Sequence, residues 1–95
     1  MPFLYIIKCS DGSYYTGTTN DVGRRFDQHL AGVGDAYTAS RRPLELVLVQ
    51  EFDCGSECFD AEMRVKRWSR KKKEALIAGD FFALKRLSRR RGGRY

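Results

Sequence analysis

The first seventeen residues constrain the fold more than any other stretch of the chain. Phe3 to Cys9 alternates and is rich in Phe, Tyr and Ile, which predicts a strand. Ser10-Asp11-Gly12 is a turn signal, and Tyr14-Tyr15-Thr16 resumes strand composition before Gly17 and Thr18-Thr19 end it. The pattern is a β-hairpin, and its register decides what the tyrosines can do. A two-residue turn at Asp11-Gly12 sends Tyr5 and Tyr15 to opposite faces. A three-residue turn, Ser10-Asp11-Gly12, puts them on one face and gives Gly12 the left-handed position. Tyr15 then stands opposite Ile7, a diagonal step of about 7–8 Å from Tyr5.

Beyond the hairpin, Asn20 is read as a helix N-cap with Asp21 in the first turn, and Val22, Phe26 and Leu30 recur at helical spacing up to Gly32. Residues 32 to 42 contain two glycines and no period, and read as a loop. Pro43 opens Leu44-Glu45-Leu46-Val47-Leu48-Val49-Gln50-Glu51-Phe52, a third strand apolar enough to be central. Ser56 is the expected cap of a helix running to about Trp68. A further helix follows Ser69 and stops at Gly79. Asp80 caps a last helix carrying Phe81, Leu84 and Leu87. The order ββ-α-β-ααα predicts an α+β fold, a small antiparallel sheet of three strands flanked by helices. Residues 1–88 form the expected domain, and 89–95 a basic, mobile tail.

Ninety-five residues make one compact domain, and the 42% apolar content supplies a core. No segment is long and apolar enough to span a bilayer, and residues 1–5 lack the basic start and apolar stretch of a secretory signal, so the expected location is cytoplasmic. Cys9, Cys54 and Cys58 fit no disulfide spacing and read as reduced, buried or half-buried thiols. A zinc site would need all three plus His29, and Cys54-x-x-x-Cys58 matches structural zinc spacing poorly. The net charge of +6 conceals an asymmetry: residues 1–63 carry 5 Lys/Arg against 10 Asp/Glu, residues 64–95 carry 13 against 2. A basic half of this kind is the footprint of a chain that meets a polyanion, or a solvated helix face.

Polar residues occupy positions where apolar ones belong. At about 100° per residue, Arg25 and His29 lie beside the Val22–Phe26 stripe and not on the far face of their helix. Glu62 falls within the stripe of Cys58, Ala61, Val65 and Trp68, where an unpaired carboxylate is costly unless an Arg, a Lys or a metal ion satisfies it. Taken singly, tyrosines in strands are core residues with a wet hydroxyl, a helical histidine is packing, and Glu62 could pair with Arg25. Together with Tyr5 and Tyr15 they form a polar cluster on a small sheet: a hard carboxylate, a guanidinium, an imidazole and two phenols. Those groups suit a phosphodiester and a divalent ion.

These residues resemble the GIY-YIG nuclease superfamily. Phe3-Leu4-Tyr5 stands where Gly-Ile-Tyr is usual, and Tyr15-Thr16-Gly17 where Tyr-Ile-Gly is usual; Arg25 follows Tyr15 by ten residues and His29 follows by four more. The Gly-x-Gly-x-x-Tyr-Thr stretch at 32–38 and Arg42-Pro43 look most like the small single-domain bacterial branch, which is similar to the nuclease subunit of eukaryotic structure-selective endonucleases. The resemblance implies a metal-dependent endonuclease that hydrolyses phosphodiester bonds, in DNA more than RNA and including branched or damaged forms. Glu62 would ligate one Mg²⁺ or Mn²⁺, Arg25 would hold the phosphate, and Tyr15 with Tyr5 would activate or position water. His29 would orient or shuttle a proton. Gly17 belongs to the second motif as a structural residue. Phe3 departs from the usual Gly, Thr18 stands where some relatives carry Lys, and no Asn follows Glu62. Arg64, Lys66, Arg67, Arg70, Lys71, Lys72 and Lys73 then become candidates for holding the flanking nucleic-acid backbone, with a protein partner directing the substrate. The alternatives are a catalytically weak or inactive nucleic-acid-binding module of the same fold, and an adaptor whose basic helices meet an acidic protein.

Overall fold

A computed structural model describes the backbone of residues 1–92 and the side chains of residues 1–88. Two strands open the chain, β1 (Phe3–Lys8) and β2 (Tyr14–Thr19), followed by helices α1 (Val22–Leu30) and α2 (Ala36–Ala39). Strand β3 (Glu45–Glu51) comes next, and then helices α3 (Gly55–Arg67), α4 (Arg70–Ala78) and α5 (Phe81–Gly92). The three strands make one antiparallel sheet in the order β2-β1-β3, the α+β arrangement expected from the sequence.

The hairpin takes the three-residue turn. Ile7 pairs with Tyr15 and Tyr5 with Gly17, while Cys9 N–H donates to Ser13 O at 2.8 Å around Ser10-Asp11-Gly12. Gly12 has φ 85°, a left-handed conformation that a side chain would strain. Asp11 braces the turn by accepting from the Ser13 backbone N–H at 2.9 Å and from its hydroxyl at 2.6 Å.

The strand at the centre is β1, which corrects the expectation for β3. Leu4 to Ile7 are buried on both faces, whereas β3 ends in exposed Val49, Gln50 and Glu51 and has a neighbour on one side only. Its register slips between Ile6 and Ile7, so that Val47 falls between the Leu46 and Leu48 pairings. The apolar run Leu44–Val49 marks a strand correctly, but hydrophobicity alone does not say how many neighbours a strand has. Around β1, Tyr5, Ile7 and Cys9 form a buried cluster packed by Tyr15, Phe26, Leu44 and Leu46.

Three boundaries differ from the sequence reading. The cap of α1 is Asp21, not Asn20: its carboxylate accepts from Arg24 N–H at 3.0 Å, while the Thr19 hydroxyl receives the Asp21 N–H at 3.1 Å. Within residues 32–42, read as a loop, Asp35 caps the single-turn helix α2. Helix α3 begins at Gly55, one residue before the expected cap Ser56. Farther on, Ser69 caps α4 and left-handed Gly79 (φ 71°) ends it, as expected, and Asp80 accepts from Ala83 N–H at 3.0 Å to start α5. The backbone of residues 89–92, expected to be a mobile tail, continues α5; residues 93–95 lie outside the described residues. Cys9 and Cys58 are buried free thiols, but Cys54 is exposed, unlike the bystander expected.

The chain divides into two compact units, residues 1–63 and 64–95, at the point where its charge changes sign. Within the second, α4 packs on α5.

Candidate active site

The site is assembled on one face of the hairpin. Strand alternation and the observed register put Tyr5, Tyr15 and Gly17 on that face, with the Tyr5 and Tyr15 ring centroids 6.4 Å apart. A Cβ on Gly17 would lie 2.6 Å from the Tyr5 hydroxyl oxygen, so the Tyr5 ring lies across strand β2 only because residue 17 has no side chain.

Helix α1 lays His29 over these rings. The sequence placed His29 beside an apolar stripe ending at Leu30; the structure reverses their weight, with His29 at 0% exposure and Leu30 at 44%. Both imidazole nitrogens are engaged. Tyr5 Oη is 2.9 Å from Nε2, and Thr38 Oγ1 is 2.7 Å from Nδ1. Thr38 donates its one hydroxyl hydrogen to the Asp35 carbonyl at 3.2 Å, so toward His29 it can only accept. With Thr38 donating to that carbonyl, the imidazole hydrogen is assigned to Nδ1, and Nε2 accepts the Tyr5 hydrogen. A Cβ on Gly34 would come within 2.8 Å of His29 Nδ1, so the loop between α1 and α2 closes on the ring only through a glycine.

Tyr15 has its own partner. Its hydroxyl donates to Asp35 Oδ2 at 3.1 Å, while Asp35 Oδ1 accepts the Tyr37 N–H at 2.8 Å. The Tyr15 ring stacks on Tyr37, with centroids 6.1 Å apart, and the Arg41 guanidinium lies 3.8 Å from the Tyr37 centroid. Arg41 also bonds Asp11 at 3.0 Å, which ties the end of α2 to the hairpin turn.

Arg25 is half-buried. Its guanidinium donates to Gln28 Oε1 at 3.0 Å and to the Gly34 carbonyl at 2.9 Å, and also faces the Tyr5 oxygen. It lines an open cleft of about 280 Å³ with Thr19, Asn20, Asp21, Arg24 and Gln28. Glu62, 9% exposed among buried Cys58 and Ala61, meets the Thr18 hydroxyl at 3.4 Å. Thr18, which stands where some relatives carry lysine, thus touches the expected metal ligand. Of the five residues singled out in the sequence, Tyr5, Tyr15, Arg25 and His29 are brought into one cluster. The charge of Glu62 acts on Tyr5 within the same unit.

The model of the GIY-YIG catalytic domain matches residues 1–75. The chain belongs to the GIY-YIG family. It is 50% identical over 77 residues to a UPF0213 protein of Halobacterium salinarum, covering 81% of this chain and all of that one. It is 45% identical to a UPF0213 protein of Cupriavidus necator over 80% of this chain and 83% of that one. Among solved structures it is similar to the UPF0213 protein of Bacillus halodurans, with 44% identity, TM-score 0.54, and 82% and 84% of the two chains covered. A protein from E. faecalis gives 35% identity and TM-score 0.60, with 84% and 85% covered. GIY-YIG domains are a nuclease family and generally use a divalent metal. No helix among the described residues is long and apolar enough to cross a membrane.

The electrostatics of this GIY-YIG cluster hold both phenols protonated at neutral pH. Burial pushes Tyr5 up, opposed by Arg25 and supported by the negative charges of Glu62 and Asp35. Tyr15 is pushed up to about 12 by burial, Tyr5 and Asp35, again against Arg25. Burial and the Arg25 cation lower His29, which leaves it neutral and able to accept a proton. The Tyr37 N–H holds Asp35 below the usual carboxylate range. For a metal, the described residues offer no cluster of three or more His, Cys, Asp or Glu. The buried Glu62 carboxylate beside a hydroxyl is nonetheless a hard-oxygen donor set, of the kind that suits Mg²⁺ or Mn²⁺ when water and phosphate oxygens complete the shell.

Gly34, Asp35 and Thr38 gain roles here that the sequence pattern does not assign them, although they fall within the Gly-x-Gly-x-x-Tyr-Thr stretch. The usable signal is Asp35 itself, a cap residue two positions before a tyrosine. Among the basic candidates, Arg64, Lys66, Arg67 and Lys71 are exposed and Arg70 pairs with Glu74 at 3.1 Å. Lys72 lies 4.4 Å from the Trp68 ring centroid, and Lys73 is half-buried, which lowers its pKa.

Proposed function

We propose that this chain is a divalent-metal-dependent endonuclease that hydrolyses phosphodiester bonds in DNA, with branched or damaged DNA as its substrate class. The observation that carries the reading is the buried 2.9 Å bond from the Tyr5 hydroxyl to a neutral His29, made beside the Arg25 guanidinium. Glu62 would hold Mg²⁺ or Mn²⁺, with Thr18 beside it; when bound, such an ion withdraws charge from the phosphate oxygens. Arg25, already aimed by Gln28 and Gly34, binds a non-bridging oxygen and balances the charge that grows in the transition state. Tyr15 accepts a hydrogen bond from the attacking water, and Tyr5 with His29 fixes the other side of the cluster. As the water oxygen bonds to phosphorus, the opposite P–O ester bond breaks; the Tyr15 oxygen takes the water's proton as its own hydrogen passes to Asp35 Oδ2 and on to solvent, and the departing oxygen takes a proton from solvent.

Residues 1–88 are the working domain in this reading. Arg64, Lys66, Arg67, Arg70, Lys71, Lys72 and Lys73 add backbone affinity without base choice. A protein partner in the cytoplasm would direct so small a domain to its substrate. The test is cleavage of labelled duplex, nicked, flap, junction and single-stranded DNA, and of the RNA equivalents, with Mg²⁺ or Mn²⁺, by wild type and Glu62→Ala. Metal-dependent cutting lost in Glu62→Ala supports the enzyme. The second reading is a binding module with weak or no catalysis, favoured by the burial of the Tyr5 phenol and by the Asp35 carboxylate against Tyr15, both of which oppose a phenolate. Equal, salt-sensitive binding by both proteins with cutting by neither would establish it.

A further inference from the structure

Two tyrosines with two different proton acceptors both lead back to Asp35, at an unassigned position of the Gly-x-Gly-x-x-Tyr-Thr stretch. Tyr15 points its hydrogen at Asp35 Oδ2. Tyr5 points its hydrogen at His29 Nε2 because Nδ1 is protonated, which follows from Thr38, whose own hydrogen is committed to the Asp35 carbonyl. We propose that Asp35 is the positioning residue that fixes the proton direction of both phenols, through its carboxylate for Tyr15 and through its backbone carbonyl and Thr38 for Tyr5. The inference rests on the nuclease reading for its catalytic consequence, not for the geometry.

The carboxylate is well suited to the task. Oδ1 is occupied by the Tyr37 N–H, so the group cannot rotate, and Oδ2 is left for the phenol. With its hydrogen drawn to Asp35, the Tyr15 oxygen turns its lone pairs toward the Arg25 guanidinium, beside which a water could donate to it. The titratable and charged groups facing Tyr15 are Tyr5 on β1, Arg25 and His29 on α1, and Asp35 on α2, with Tyr37 stacked on its ring. Of these only Asp35 takes the Tyr15 hydrogen.

Asp35→Asn is the decisive variant because it inverts one bond and little else. Asparagine caps a helix as well as aspartate does, so its oxygen keeps the Tyr37 N–H. Its NH₂ then faces the phenol and can only donate, which forces the Tyr15 hydrogen outward toward the water it must receive from. The expected result is a kcat lower by about 10- to 100-fold with KM within about twofold, a size in keeping with misdirected acid–base groups. In the Tyr15→Phe background the same change should cost nothing further. Asp35→Ser, which keeps a cap but cannot reach Tyr15, serves if the Asn protein does not fold. Thr38→Val should lower kcat through the Tyr5 arm while leaving the Tyr15 resonance in place.

The ¹³Cζ resonance of labelled Tyr15 gives a reading that needs no substrate. Wild type should show no titration up to about pH 11, given a phenol pushed up to about 12, and Asp35→Asn should begin to titrate below it. A kcat within about twofold of wild type, or a Tyr15 resonance unmoved by Asp35→Asn, overturns the proposal. If wild type cuts nothing, the nuclease reading fails by itself and the resonance still decides whether Asp35 governs Tyr15.

Discussion

The two compact units use polar side chains in opposite ways. In residues 1–63 the polar groups that matter are turned inward: Tyr5 at 2% exposure, His29 fully buried, and Glu62, each matched to a partner at hydrogen-bond distance. In the second unit the described charges, those of residues 64–88, are mostly exposed on its helices, with surface pairs such as Arg70–Glu74. The first unit has 5 Lys/Arg against 10 Asp/Glu and the second 13 against 2. Bond chemistry demands atoms held within fractions of an ångström, whereas attraction to a polyanion demands only density of charge. Single changes should therefore be severe and specific in the first unit, mild and cumulative in the second.

The largest break is expected at Glu62. Glu62→Ala should reduce cleavage by about 100-fold or more, the loss typical of removing a charge-stabilising group, while salt-dependent DNA binding persists. Gly17→Ala comes next: the added Cβ meets the Tyr5 phenol at 2.6 and 2.7 Å, and overpacking of this kind costs about 1–3 kcal/mol. Urea unfolding should show the lower midpoint, and the near-ultraviolet signal of the tyrosines should change with it.

A smaller effect concerns acid. The folded protein holds the His29 pKa below the ordinary 6.5 through burial and Arg25, so the unfolded chain binds the proton more readily. That contribution is intact above about pH 6.5 and is lost as pH falls below it toward the folded value. Asp11 and Asp35 are shifted down and lose their own contributions only at lower pH, beneath 3.8. The melting temperature should thus decline between about pH 7 and 5 in wild type and stay flatter in His29→Gln. The smallest effects belong to the second unit. Replacing Arg67 or Lys71 by Ala should make the slope of log binding constant against log salt shallower by about one for each phosphate no longer neutralised. Cleavage by enzyme saturated with substrate should not change.

The hairpin is legible in the sequence because strand alternation and turn chemistry agree on one register, and that register puts both tyrosines on one face. The inward placement of His29 and Glu62 is legible for the same reason, as polar residues within apolar periodicity. Helix α2 is not. Four residues are too few for a period, and Asp35 and Thr38 gain their meaning only from Tyr15 and His29, 20 and 9 residues away in sequence. The edge position of β3 is hidden too, since an apolar run reports burial and not the number of neighbours. At Asn20-Asp21 two competent caps stand side by side, and the Thr19 hydroxyl favours the second by taking its N–H.

Seen as a problem of inheritance, Gly17 and Gly34 narrow what this lineage can become. Each is a space shaped to a ring of the candidate site, the phenol of Tyr5 in one case and the imidazole of His29 in the other, while a methyl on Gly55 would touch nothing. In a saturating mutational scan, two columns should accept almost no letter, although neither residue has a side chain to offer the reaction. Drift would be free at 55 and nearly frozen at 17 and 34.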